Sequence, residues 1–136
     1  MGIFSNLNGG DISLTPQGAL LLAAISITAI DGDIDEDEIA IIRRLDRNGT
    51  SSDWDSAVKA WKTKSVEDCV AIVSKAMNKE QQLTAMSNLL DIAMADGVLG
   101  RNEELLLEAY SEVFDIAESE IQNIIHVISI KNRSIF

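Results

Sequence analysis

Apolar residues recur along this chain at steps of three and four positions, and sustained alternation of apolar and polar residues is missing. Such spacing is typical of amphipathic α-helices, whereas strict alternation would indicate β-strands. Thr15-Pro16 predicts the start of a first helix, because threonine caps well and proline suits the first helical position. The apolar run then continues to about Ile30. The sequence therefore predicts an all-α protein.

Six further helices are predicted from capping signals and apolar faces. Asp35, with Glu38 three positions later, forms a capping box for the second helix, and Gly49 is expected to end that helix. The later helices are expected after the Ser51-Ser52-Asp53 cap, after the Ser65 cap, and over about 79–95, 102–114 and 118–130.

A short acidic pattern occurs twice, each time between two predicted helices. The first copy is Ala29-Ile30-Asp31-Gly32-Asp33-Ile34-Asp35-Glu36-Asp37-Glu38, and the second is Ala95-Asp96-Gly97-Val98-Leu99-Gly100-Arg101-Asn102-Glu103, shifted by 65 positions. In each copy a glutamate stands seven positions after the aspartate of Asp-Gly. We interpret this as an internal duplication. The predicted fold is a single compact bundle of about seven helices with a pseudo-two-fold helix-loop-helix duplication.

Length and composition indicate one domain, because 136 residues at 46% hydrophobic suit a single core. We expect an N-terminal arm over 1–14, the helical domain over 15–130 and a C-terminal tail over 131–136. Cys69 is the single cysteine, so no intramolecular disulfide can form, which favours a reducing, cytoplasmic setting. The longest apolar run falls short of the ~20 residues that span a bilayer, so direct membrane insertion is not expected.

The formal net charge of −11 limits the partners. Nucleic-acid binding is not expected, because phosphate backbones would be repelled and no basic stripe is present. The remaining candidates are cations, basic surfaces and other proteins. We expect a protein partner, with any membrane association made through another subunit, and a homo-oligomer is left open.

The two acidic copies, each at the joint between two predicted helices, contain the groups that could carry chemistry in this chain. We call each copy an acidic joint. If the two copies pack about an approximate two-fold axis, their carboxylates meet and repel each other unless a cation neutralises them. The all-oxygen donors suit a divalent cation such as Ca²⁺ or Mg²⁺, whereas zinc prefers histidine and cysteine. An EF-hand is excluded, because Glu36 replaces the glycine of the turn and Ile42 replaces the closing acid. The candidate metal ligands are Asp31, Asp33, Asp35, Glu38, Asp96 and Glu103.

A purely structural interpretation is also open. Acids at helix starts stabilise the helix dipole, which explains Glu36 and Asp37 without a ligand. Asp31 and Asp96 follow the preceding helices, where the dipole disfavours them, so they need another cause. One such cause is local: each aspartate accepts a hydrogen bond in its glycine turn while Glu38 or Glu103 reaches back. Arg101 is a further option as an ion-pair partner for the first loop.

The duplicated motif resembles the TerB tellurite-resistance family over about 19–127. The second copy and the segment from Phe114 to Ile121 resemble the family's repeat and closing helix most closely. The resemblance implies a bundle of about seven helices, a role in tellurite and other chemical stress, and metal binding by acidic loop positions. In this chain those positions are Asp31, Glu38, Asp96 and Glu103. Departures are Ile30, where the second copy has Ala95, and the additional acids Asp33, Asp35 and Asp37.

Catalysis has little support in the sequence. Cys69 lies in no recognised nucleophile arrangement and is interpreted as a small core or boundary residue, and His126 as a surface or boundary histidine. Trp54 and Trp61 are interpreted as core anchors. The favoured hypothesis is a non-enzymatic cytoplasmic adaptor associated with chemical stress, whose acidic loops bind a divalent cation. The alternative is a structural protein-interaction module without metal, whose acids only cap helices.

Overall fold

The computed structural model describes residues 12–32, 34–46, 51–95 and 99–135, and all regular structure in these ranges is helical. This confirms the all-α prediction. The helices are α1 (Pro16–Ala29), α2 (Glu36–Arg44), α3 (Ser51–Thr63), α4 (Val66–Ala76), α5 (Lys79–Met94), α6 (Arg101–Val113) and α7 (Glu118–Lys131).

Side-chain caps fix several of the helix starts. Thr15 Oγ1 accepts a hydrogen bond from Gly18 N at 3.0 Å, as the Thr-Pro signal predicts. Ser65 caps α4 in the same way, and Asn78 caps α5 with Gln81 reaching back. Each cap satisfies backbone N–H groups that a helix leaves without a partner in its first turn.

The end of α2 differs from the sequence prediction. The helix ends at Arg44, whereas Gly49 lies outside the described residues. Leu45 N bonds to Ile42 O and Asp46 N to Arg43 O, both at 3.0 Å. These three-residue bonds tighten the last turn and replace the glycine cap that the sequence suggested.

Helix α1 is the central element of the bundle. It packs against α2, α3, α4, α5 and α6, and it has no polar face. A helix that is apolar all round is stable only when neighbours surround it, and α1 meets that requirement. Its buried residues are Gly18, Ala19, Leu21, Leu22, Ala23, Ala24, Ile25, Ser26 and Ile27.

The C-terminal helices complete the core. Helix α6 packs against α4 and α5, while α7 packs against α5. Tyr110 and Phe114 are fully buried, with ring centroids 5.7 Å apart. Lys131 Nζ at the end of α7 pairs with Asp91 Oδ1 of α5 at 3.0 Å.

The surroundings of the two tryptophans, Cys69 and His126 agree with their interpretation from the sequence. Trp54 and Trp61 are half-buried and pack against the core, and the Arg43 guanidinium lies 4.8 Å from the Trp54 ring centroid. Cys69 is fully buried, and His126 is exposed. Within the described ranges, no helix combines the length and apolar content needed to cross a membrane.

Candidate metal centre

The two acidic copies share one local feature, a glutamate that reaches back to the start of its own helix. Glu38 Oε1 accepts a hydrogen bond from Asp35 N at 3.1 Å, and Glu103 Oε1 accepts one from Gly100 N at 3.2 Å. The two pairs are equivalent after the 65-residue shift. In the first copy Asp35 Oδ1 also accepts from Glu38 N at 2.8 Å, which completes a capping box.

Asp31 is held by a residue of the other copy. Asn102 Nδ2 donates to Asp31 Oδ1 at 2.7 Å, linking the chain just after α1 to the first turn of α6. Gly32 N does not donate to the Asp31 side chain, since it bonds to the backbone oxygen of Ala29, and the next residue of the turn lies outside the described residues. The unfavourable position of Asp31 after a helix is therefore offset by a long-range amide partner.

The carboxylates of Asp31 and Glu103, one from each acidic copy, both lie close to Gly100. A Cβ atom added at Gly100 would lie 2.9 Å from Asp31 Oδ2 and 3.0 Å from Glu103 Oε1. Two carboxylate oxygens, one from each copy, thus lie against the same point above the glycine. Any larger residue would push one of them away, so glycine is what allows this approach.

The other predicted ligands have different surroundings. Asp35 and Glu38 are engaged with each other at the start of α2, and Asp33 and Asp96 lie outside the described residues. Over the part of the chain that the structure describes, no three histidine, cysteine, aspartate or glutamate side chains form a group suited to a metal ion. The described residues show one pair of carboxylates near Gly100, those of Asp31 and Glu103. The full set of six ligands stays a prediction.

The pair fits a hard cation better than a soft one. Its donors are oxygen atoms, and Asn102 contributes an amide beside them. Mg²⁺ is usually bound through one or two carboxylates and keeps several waters, whereas Ca²⁺ takes six to eight oxygens. Arg101 is exposed and forms no ion pair with the acids that the structure describes.

In a comparison with protein families, the model for Tellurite resistance protein TerB matches residues 51–126. The chain belongs to the TerB family. The match extends from the start of α3 into α7, so it contains the second acidic copy with Gly100, Asn102 and Glu103. Asp31 and the rest of the first copy precede the region that matches TerB. Comparison with curated proteins and with solved structures gives no match.

Asn102 is the residue whose role the sequence did not predict. It belongs to the second acidic copy, and the structure makes it the direct partner of Asp31. The available signal was positional: Asn102 is the 65-residue equivalent of Asp37 and replaces an acid by an amide. An amide can donate to a carboxylate, which an aspartate at that position could not do when ionised.

Proposed function

We propose that this TerB-family protein is a non-enzymatic, cytoplasmic adaptor associated with tellurite and other chemical stress, and that its acidic joint binds a divalent cation. The TerB family is associated with tellurite resistance and is generally non-enzymatic. The cation would be held by Asp31 and Glu103. Its role is electrostatic: it neutralises carboxylates that the fold brings together and so fixes the two helix joints relative to each other.

The observation that carries this proposal is the approach of Asp31 and Glu103 above Gly100. The two residues belong to different copies of the motif and are far apart in sequence, so local helix capping alone does not account for their proximity. Like charges brought together repel each other, and a bound positive charge reduces that repulsion. A divalent cation supplies that charge and matches the oxygen donors.

Coordination chemistry distinguishes Mg²⁺ from Ca²⁺ as the proposed ion. Two described carboxylates and a shell of water suit Mg²⁺. A Ca²⁺ site would need further oxygens, for which Asp33 and Asp96 are the proposed sources. Preference for Ca²⁺ over Mg²⁺ would therefore indicate that the loops contribute additional ligands.

Calorimetric titration with MgCl₂ and CaCl₂ tests the proposal on the paired variant Asp31→Asn and Glu103→Gln. Both substitutions keep the side-chain shape, and glutamine can still reach back to the helix start as glutamate does. The matched control is Glu36→Gln with Asp37→Asn, which removes the same charge from exposed positions at the start of α2. We expect wild type and control to bind a cation and gain Tm, and the paired variant to lose both. Absence of binding in wild type, or an equal loss in the control, contradicts the proposal.

The second candidate function is a structural protein-interaction module without metal. It is favoured by the polar partners already present: Glu38 and Glu103 reach back to their helix starts, and Asp31 accepts from Asn102. On this account the acids need no ion. It predicts that chelator leaves the wild-type Tm unchanged and that Asp31→Ala lowers Tm by the same amount with and without added cation.

A further inference from the structure

We propose that the groove between α4 and α6 docks one basic amphipathic helix of a partner protein. This inference rests on the proposed adaptor function and names the surface that such a function would use. The groove has a volume of about 510 Å³, and we call it the α4–α6 groove. Its larger apolar lining residues are Ile30, Val66, Val70, Leu105, Leu106 and Val113.

The apolar lining is open to solvent on the α6 side. Leu105 and Val113 are each 44% exposed, while Val70 and Leu106 form a buried floor beneath them. Ala109 lies between Leu105 and Val113 in the lining, and its small side chain keeps the groove open. The lining from Asn102 to Val113 follows α6 for about three turns. An amphipathic helix of similar length could bury its apolar face here, as helix-in-groove complexes do.

The charged side chains that line the groove are both acidic. Glu67 stands in the first turn of α4 and Glu112 in the last turn of α6, and both are exposed. Ser74 Oγ donates to Val113 O at 3.4 Å, so the C-terminal ends of the two helices lie together. The carboxylates of Glu67 and Glu112 therefore lie toward opposite ends of the groove.

Charge selects the occupant. An acidic partner, including a second copy of this chain with its net charge of −11, would meet like charge at both ends of the groove. A helix with lysine or arginine beside its apolar face would meet opposite charge at both ends, which favours encounter and orientation. The groove between α5 and α7 has a mixed charge, because its lining holds Lys131 as well as Asp91 and Glu120, and Lys131 pairs with Asp91.

The groove is also continuous with the acidic joint. Asn102 lines the groove and donates to Asp31, so an occupant at this end contacts the residue that connects the two copies. A cation bound at the joint and a helix bound in the groove would then share one structural element. We expect each to alter the affinity of the other, since coupling between two sites is reciprocal.

Fluorescence anisotropy with a labelled helical peptide of about 18 residues tests the docking surface. The probe carries a leucine face flanked by lysine and arginine, and its counterpart has glutamate in place of every basic residue. The test variant is Leu105→Ser with Val113→Ser. The matched control, Val127→Ser with Ile130→Ser, changes two exposed apolar residues of α7. We expect the test variant to weaken binding of the basic probe by about tenfold and the control to leave it within about twofold.

A second pair of variants separates the groove from the overall charge. Binding of the basic probe should be weakened more by Glu67→Gln with Glu112→Gln than by Glu118→Gln with Glu120→Gln. Both pairs of substitutions remove the same charge. Backbone amide shifts caused by the probe should fall on α4 and α6. Equal effects of the two pairs, equal affinity for the acidic counterpart, or shifts confined to α5 and α7 would overturn the proposal.

Sedimentation of the protein without peptide tests the competing occupant. A dimer that Leu105→Ser with Val113→Ser dissociates would show that a second copy fills the groove, and would overturn the proposal. A monomer that binds the probe supports it. Cation binding is measured separately by calorimetry, so a wild-type protein that binds the cation but not the basic probe rejects the groove and leaves the proposed function standing.

Discussion

Asn102 Nδ2 lies 2.7 Å from Asp31 Oδ1, and this hydrogen bond joins the end of α1 to the start of α6. The two residues come from different copies of the acidic motif. Asp31 follows the C-terminal end of a helix, where a negative side chain is disfavoured, and the amide donor compensates for that position. The second oxygen of Asp31 lies over Gly100, where the carboxylate of Glu103 also approaches.

Replacing Asn102 by aspartate should destabilise the protein in a pH-dependent way. The change removes the amide donor and puts a second carboxylate beside Asp31, so the free energy of unfolding should fall by about 1–2 kcal/mol at neutral pH. The repulsion requires both carboxylates to be ionised. The variant should therefore approach wild-type stability as pH falls toward about 4, where the carboxylates protonate.

Urea denaturation at neutral and acidic pH measures the effect of Asn102→Asp. Asn123→Asp on α7 is the matched control, because it adds the same charge at an exposed position. Added MgCl₂ should recover part of the loss in Asn102→Asp and none in the control. A loss that is independent of both pH and Mg²⁺ would show that repulsion at the joint is not its cause.

Gly100→Ala should disturb the joint sterically. The new Cβ would lie 2.9 Å from Asp31 Oδ2 and 3.0 Å from Glu103 Oε1, closer than carbon and oxygen normally approach. Asn102 and the Gly100 N–H hold these two side chains, so they cannot move without losing hydrogen bonds. We expect a loss of about 1 kcal/mol in the free energy of unfolding.

A double-mutant cycle checks the cause of the Gly100→Ala effect. Asp31→Ala removes one of the two oxygens that crowd the new Cβ. Adding Gly100→Ala to Asp31→Ala should therefore cost less than adding it to wild type, which is the non-additivity expected of neighbouring groups. Strictly additive losses would show that the alanine acts on the helix start alone.

Capping chemistry allowed most of the helix starts to be predicted from sequence. Thr15, Asp35 and Ser65 are local signals, because a cap depends on residues within one turn. The start of α6 was equally well placed by the repeat, although Gly100 offers no side-chain cap. The family assignment followed from the same repeat and is confirmed by the match to TerB.

Such local signals could not predict the tertiary contacts. The partner of Asp31 could not be read from its neighbours, because Asn102 is 71 residues away in sequence. Likewise α2 ends at Arg44, where backbone bonds close the last turn without a glycine. The duplication suggested that the two acidic copies meet, but the atoms that meet are known only from the folded structure. The pseudo-two-fold relation and the six-residue metal site remain predictions.

The buried Ser26–Tyr110 pair should respond unequally to loss of its two hydroxyls. The hydroxyl oxygens lie 2.7 Å apart, and Ser26 Oγ also donates to Ala23 O at 2.7 Å. Tyr110→Phe leaves Ser26 with its backbone partner and should cost about 1 kcal/mol. Ser26→Ala leaves a buried tyrosine hydroxyl without its partner and should cost about 1–3 kcal/mol.

Thermal and urea unfolding of Ser26→Ala, Tyr110→Phe and the double variant measure this asymmetry. Ser87→Ala is the control, since Ser87 makes a comparable bond to Leu83 O but is only half-buried. The double variant should be more stable than Ser26→Ala alone, because it removes the unpaired hydroxyl. Equal losses for the two single variants would contradict the predicted asymmetry.

Cys69 should make the protein lose stability in mildly alkaline solution. Burial, reinforced by the neighbouring Asp68 charge, raises the pKa of Cys69 to about 11. An unfolded thiol releases its proton near pH ~8.5, so above that pH the unfolded chain binds fewer protons than the folded one. The contribution of Cys69 is thus present below about pH 8.5 and is lost as pH rises toward the folded pKa.

The measurement is urea unfolding from pH 8 to 10 under reducing conditions, comparing wild type with Cys69→Ala. Wild type should lose about 1–2 kcal/mol of unfolding free energy over this interval through Cys69, and the variant should show a flatter profile. Burial also raises the pKa of Tyr110, but its contribution begins only above about pH 10, where an unfolded tyrosine ionises. Identical slopes of the unfolding free energy against pH in the two proteins would mean that Cys69 does not cause the alkaline loss of stability. A loss of packing energy in Cys69→Ala would lower stability equally at every pH and would leave the slope unchanged.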